Sequence, residues 1–281
     1  MNKIAIVTDS NSGITQAQAK ELGVHVLPIP FYINEELYFE DINLTQEEFY
    51  KKLEEGAEIS TSQPAPGDVM ELWDSLLKDY DEIVHIPMSS GLSGAFNMVN
   101  VLAGETEGLK VDVYDTRTLS CGLGLLILEA AECLERGMPV ESVIARLDKL
   151  RKHQLGAFVI RTLEFLRKGG RIGLVEGVVG TLLKIKPVIH VNDDGVYATL
   201  IKARGFSRAL ENMQEEFFRR FQGRKVRVAI VHGNAEAEAQ SLLEVFRSRL
   251  EVASGFVSPV SPALAIHTGP GLLGAIVQYA D

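Results

Sequence analysis

Three stretches of this chain collect small hydroxyl and glycine residues where an apolar strand gives way: Thr8 to Ser12, Ser89 to Ser93 and Thr116 to Ser120. The densest is Met88-Ser89-Ser90-Gly91-Leu92-Ser93-Gly94-Ala95-Phe96-Asn97. Glu82 to Ile86 ahead of it reads as a short buried strand, and Phe96, Met98, Val99 and Leu102 behind it recur at helical spacing, so a helix begins near Ser93. The first amides of a helix lack partners and its dipole is positive there, so Ser93 and the Gly94 amide suit a carboxylate or a phosphate. Other polar side chains stand beside proline or glycine: Thr61 and Ser62 in a proline-rich stretch, Arg171 after two glycines, and His267 before Thr-Gly-Pro-Gly. Each also has a plainer reading. Ser93 serves as a helix cap, Thr61 and Ser62 as turn residues, Arg171 as a surface charge, and His267 as a hydrogen-bonded core histidine. Asp9 and Asp115 read most simply as turn or cap residues.

Other chemistries fit less well. A serine hydrolase with Ser93 as nucleophile is the main alternative. The elbow wants G-x-S-x-G, whereas Gly91-Leu92-Ser93-Gly94-Ala95 ends in alanine. No G-x-x-x-x-G-K-[ST] is present, and Gly122-Leu123-Gly124-Leu125-Leu126-Ile127 lacks the last glycine of a dinucleotide fingerprint. The histidines (His25, His85, His153, His190, His232, His267) show no clustered metal-ligand spacing, so no metal and no cofactor are expected.

The elements that would carry these residues alternate through the first half. Strands are expected at 4–7, 24–30, 82–86 and 110–114, and helices at 15–22, from Thr45 (a capping box with Glu48) to about 55, from Asp68 through Leu77, at 123–136 and at 140–152. Residues 31–39 read as a hairpin and 60–68 as a loop. Such alternation calls for a parallel sheet, with ligands beyond the carboxyl ends of its strands. The second half mixes strands at 156–160, 185–191, 196–201, 226–231 and 255–257 with helices at 162–167, 174–183, 207–221 and 236–250, and closes on an apolar helix after Gly271. The hairpin signal Asn192-Asp193-Asp194-Gly195 marks it as α+β. The expected fold is therefore α/β in two domains: a Rossmann-like parallel-sheet domain at 1–155 and an α+β domain with a mixed sheet at 156–281.

At 281 residues the chain has room for two domains. A net charge of −10 and a pI of about 5.2 argue against a nucleic-acid binder. No apolar run nears the roughly 18 residues of a membrane span, so stable insertion is not expected, although transient membrane contact stays open. The N-terminus runs into a strand without a signal-peptide pattern. Cys121 and Cys133 fall on one helix about 18 Å apart, too far to bridge. A cytoplasmic protein is expected.

Six motifs in register then point to a family: Thr8-Asp9-Ser10, Thr61-Ser62-Gln63-Pro64, Ser89 to Gly94, Leu163 to Ile172 with Lys168-Gly169-Gly170-Arg171, Ile185-Lys186-Pro187 and His267-Thr268-Gly269-Pro270-Gly271. Together they resemble the DegV family, bacterial fatty-acid-binding proteins that serve as the acyl-carrying subunit of fatty acid kinase. The resemblance implies a long-chain fatty acid in a tunnel between two α/β domains. Hydroxyls at Thr61 or Ser62 and Ser93 would meet its carboxylate, with Arg171 and His267 nearby. It also implies a separate ATP-dependent kinase that phosphorylates the bound acid, the chain itself being a carrier and not an enzyme. Ala95-Phe96-Asn97 departs from the Thr-Tyr-Gln more common in that family. Lys202 and Arg204, ahead of a helix with Arg208, form a small basic cluster that is the candidate kinase-docking surface, a solvated face being the plainer reading.

The energetics suit a carrier. Burying about fourteen methylenes is worth on the order of 11 kcal/mol before association costs. An unpaired buried carboxylate would cancel much of that, so fixed donors are required.

Overall fold

A computed structural model describes residues 2–40, 42–106, 108, 110–178 and 185–280. The chain divides into two compact units, Met1–Arg151 with Ser261–Ala263, and Lys152–Val260 with Leu264–Asp281. The fold is α/β, with a parallel four-stranded sheet in the first unit and a separate mixed six-stranded sheet in the second.

The first unit runs β1 (Ile4–Asp9), α1 (Gln16–Leu22), β2 (His25–Leu27), β3 (Phe31–Ile33), β4 (Glu36–Tyr38), α2 (Gln46–Glu54), β5 (Ile59–Thr61), α3 (Pro66–Leu76), β6 (Glu82–Ile86), α4 (Ala95–Glu105), β7 (Val111–Val113), α5 (Cys121–Glu135) and α6 (Val140–Lys152). Its parallel sheet has the order β2-β1-β6-β7. Val69, Trp73 and Leu76 of α3 and Val99 of α4 bury one face against Ala5, Val7, Leu27 and Ile83. Capping boxes start α1 at Thr15 and α2 at Thr45, each pairing the cap hydroxyl and backbone with the residue three on. The β3–β4 hairpin turns at Asn34 and Glu35, both at positive φ, as a tight two-residue turn requires.

Two readings of this half need correction. Residues 60–68 are not one loop: β5 pairs antiparallel with β3, and a helix already starts at Pro66. Proline there has the φ and the missing N–H that the first helical position tolerates, so Asp68 lies in the first turn instead of capping it. The strand expected over 24–30 is cut to three residues by Pro28 and Pro30, neither of which can donate to a ladder.

The second unit runs β8 (Gln154–Val159), α7 (Glu164–Lys168), a 3-10 turn (Gly173–Val178), β9 (Ile185–Val191), β10 (Tyr197–Arg204), α8 (Phe206–Phe221), β11 (Lys225–His232), α9 (Glu236–Arg249), β12 (Glu251–Pro259), α10 (Pro262–Thr268) and β13 (Leu273–Tyr279). The sheet order is β10-β9-β8-β13-β11-β12; β11 and β12 run parallel, and the other neighbouring pairs run antiparallel. Met213, Phe217 and Phe221 of α8 and Leu243 and Phe246 of α9 pack on Leu155, Ala157, Val228, Ile230, Ala275 and Val277.

The largest correction falls at the C-terminus. Leu273 to Val277 form a central strand between β8 and β11, not a helix. Both faces of that strand are buried, so it reads as an unbroken apolar run, which periodicity cannot tell from a short buried helix. The helix expected over 174–183 is a 3-10 turn as far as Val178, and residues 179–184 lie outside the described ones.

One core contact makes a pH-dependent test. His85 of β6 is 1% exposed, and its Nδ1 accepts the Trp73 Nε1–H at 3.2 Å. Burial lowers its pKa from 6.5 to about 3, so the folded ring stays neutral while the unfolded one charges below pH 6.5. Stability is therefore expected to fall from pH 7 to pH 5, with His85 accounting for about 2 kcal/mol. Denaturant titrations of wild type and His85→Leu check this: the variant should lose about one proton of slope. Identical slopes would assign the pH dependence to other groups.

Candidate functional site

In the first unit the Ser93 loop is built on a bent hydrogen-bonded turn after β6. The Ser89 carbonyl receives the Leu92 and Ser93 N–H groups, both at 3.1 Å, and Ser89 Oγ receives Gly91 N–H at 3.2 Å. Neighbouring strand ends brace this turn. The Ser89 amide donates to Thr118 O at 2.8 Å, and Thr116 Oγ1 donates to Pro87 O at 3.0 Å. Asp115 receives both the Ser90 hydroxyl at 2.6 Å and the Ser90 amide at 3.1 Å. Met88 N–H donates to Asp9 Oδ2 at 2.8 Å.

Ser93 is half-buried at the start of α4, and its Oγ accepts the Ala95 amide at 3.2 Å. Its own hydroxyl proton can still be given to an anion. The helix cap proper is Gly94, which is exposed. A Cβ on Gly94 would lie 2.7 Å from the Gln63 side-chain oxygen. This close approach brings the Thr61–Gln63 stretch against the Ser93 turn. Thr61 ends β5 opposite Phe31 and is half-buried. Ser62 is exposed, with its hydroxyl donated to Gln63 O at 3.1 Å.

In the second unit α7 ends at Gly169 and Gly170, the latter at φ +69°. The chain then turns Arg171 back, so that its Nη1 donates to Gly169 O at 2.8 Å. His267 lies in the last turn of α10. A Cβ on Gly169 would fall 2.0 Å from His267 Nδ1, so glycine is demanded there by the imidazole, not by φ. Burial, and then the Arg171 guanidinium, lower the His267 pKa from 6.5 to about 4. Arg171 also acts on Tyr197, whose hydroxyl burial keeps protonated well above its ordinary range. At neutral pH this group therefore offers one fixed positive charge and a neutral imidazole. Lys202 and Arg204 are exposed on β10, an edge strand, on either side of buried Ala203. Arg208 is paired with Glu211 at 2.9 Å.

Sequence reasoning named the donors but missed their supports. Gln63 and Gly169 stood inside quoted motifs without a role, and Asp115 was read as a turn residue. A cleft of about 710 Å³ opens at the amino ends of β1 and β6, lined by Lys3, Ile4, Tyr80, Glu82 and Leu134, and none of the named donors lines it. Among the described residues no group of three or more His, Cys, Asp or Glu could hold a metal, and no helix is long and apolar enough to cross a membrane.

A family model described as "Uncharacterised protein, DegV family" matches residues 3–280. The chain belongs to the DegV family. A DegV domain-containing protein of Clostridium acetobutylicum is 32% identical over 279 residues, 99% of each chain. Among solved structures, this DegV chain is similar to a family member from Thermus thermophilus described by its fatty acid binding (34% identity, 99% of each chain, TM-score 0.90). It is also similar to DegV of Bacillus subtilis, described as a fatty acid binding protein (29% identity, 99% of this chain and 100% of that one, TM-score 0.91). These likenesses give the serine-hydrolase alternative no support, and Ser93 Oγ is engaged by its own helix start.

The Gly169–His267 contact can be tested directly. Gly169→Ala is expected to displace the imidazole and cost about 1–3 kcal/mol in thermal unfolding, as overpacking does. Gly67→Ala, where a Cβ meets nothing within 4 Å, is the control. Unchanged His267 imidazole NMR signals in Gly169→Ala would contradict the close contact.

Proposed function

We propose that this DegV protein is a non-catalytic cytoplasmic carrier of a long-chain fatty acid, which it presents to a separate ATP-dependent kinase for acyl-phosphate formation. The observation that carries the reading is a likeness along the whole chain to structures described as fatty-acid-binding, at up to 34% identity among those compared. In this reading Thr61, Ser62, Ser93 and the Gly94 amide, together with Arg171 and His267, are the groups that replace the water around the carboxylate. Hydroxyls and amides suit the task because they neutralise without locking the acid into an ion pair, leaving an oxygen free to take a phosphoryl group. A single guanidinium and a neutral imidazole add attraction without a dense cationic clamp. The acyl chain supplies most of the affinity and the headgroup set supplies the choice of an acid.

Fatty-acid titrations of Ser93→Ala, Thr61→Ala and His267→Gln test the site. Each single change is expected to weaken binding by about 1–3 kcal/mol, as for a hydrogen bond lost to a charge. If one carboxylate draws on both sets, the Ser93→Ala/His267→Gln double variant loses less than the sum of the two. Wild-type affinity in all the single variants would remove these residues from the site. Lys202 and Arg204 are the proposed docking residues for the acidic face of the kinase. Arg204→Glu is expected to abolish kinase-coupled phosphorylation with acid binding intact, and undiminished phosphorylation would dismiss this surface.

A further inference from the structure

Asp9 is a buried carboxylate that the proposed ligand set does not use. It ends β1, is 1% exposed, and spends both oxygens on backbone donors. Oδ1 accepts the Asn11 amide at 2.9 Å, which caps the 3-10 turn Ser10–Ser12. An uncharged serine or asparagine would do that much. Oδ2 reaches instead to the neighbouring strand and accepts the Met88 amide at 2.8 Å. Met88 directly precedes Ser89, whose carbonyl receives the Ser93 amide. Asn11 strengthens the same tie, since its Nδ2 donates to Met88 Sδ at 3.1 Å and its Oδ1 accepts the Ser261 hydroxyl at 3.0 Å.

The choice of a carboxylate is informative. Burial pushes Asp9 up to about 6 although both amides pull it down, so holding it ionised at neutral pH works against stability. Asparagine would fill the same volume but turn an NH₂ toward one of two N–H donors. A charged group kept at a cost, with one arm on the loop that carries Ser93, is explained by that loop and not by capping.

We propose that Asp9 is a positioning residue for the headgroup loop: it holds the Met88 amide, and so fixes where the Ser93 hydroxyl and Gly94 amide stand, without touching the ligand. This inference rests on the fatty-acid reading, and its test separates the two. Wild type and Asp9→Asn are titrated with dodecanoic acid and with 1-dodecanol, the same chain without a charged head. Acid affinity is expected to fall about tenfold in the variant, as for one lost hydrogen bond to a charge, while dodecanol affinity shifts by less than about twofold. A general folding fault lowers both together, so parallel losses, or an unchanged acid affinity, overturn the proposal. Should Asp9→Asn not fold, Ser261→Ala removes the outer bond to Asn11 and leaves Asp9 itself in place. It is expected to lower acid affinity about threefold and spare the alcohol, and equal acid affinity there overturns the proposal. A wild-type protein that binds neither compound defeats the fatty-acid reading itself, and the role of Asp9 with it.

Discussion

A carboxylate leaves water only where fixed donors stand in for its hydration, and the proposed fatty-acid reading asks that of a braced turn in the first unit. Its parallel sheet carries three hydroxyl-rich loops to the same end, as the carboxyl ends of β1, β6 and β7. The middle loop bears Ser93, and the outer two supply Asp9 on one side and Asp115, Thr116 and Thr118 on the other. Donors that are already oriented need no reorganisation when an anion arrives, so their full attraction counts toward binding.

In the second unit the proposed headgroup contacts are a charge and a neutral ring. One guanidinium stands beside an imidazole that burial keeps neutral, and glycine at 169 makes room for the ring. Under the proposed reading, a carboxylate beside His267 would favour the protonated ring. Arg171 is restrained by its bond to the Gly169 carbonyl, which limits the side-chain entropy that the proposed headgroup contact would cost.

Local signals in the chain were enough for the elements whose reasons are local. The capping box at Thr45, the tight turn at Asn34–Glu35 and the span Val140–Lys152 follow from neighbours within one or two turns of chain. The C-terminal strand did not, because Leu273 to Val277 become a strand through β8 and β11, more than forty residues away along the chain. The site divides in the same manner. The family motifs point to Ser93, Arg171 and His267, but the roles of Asp9 and Asp115 depend on partners such as Met88, 79 positions from Asp9. From sequence alone each is one more polar residue at a strand end.

The direct check on a buried acid held by these donors is the identity of what the protein carries. Denaturing extraction of the purified protein followed by mass spectrometry should release a long-chain fatty acid at about one per chain. Recovery of no lipid, or of an uncharged lipid in its place, would contradict a carboxylate held by the Ser93 loop.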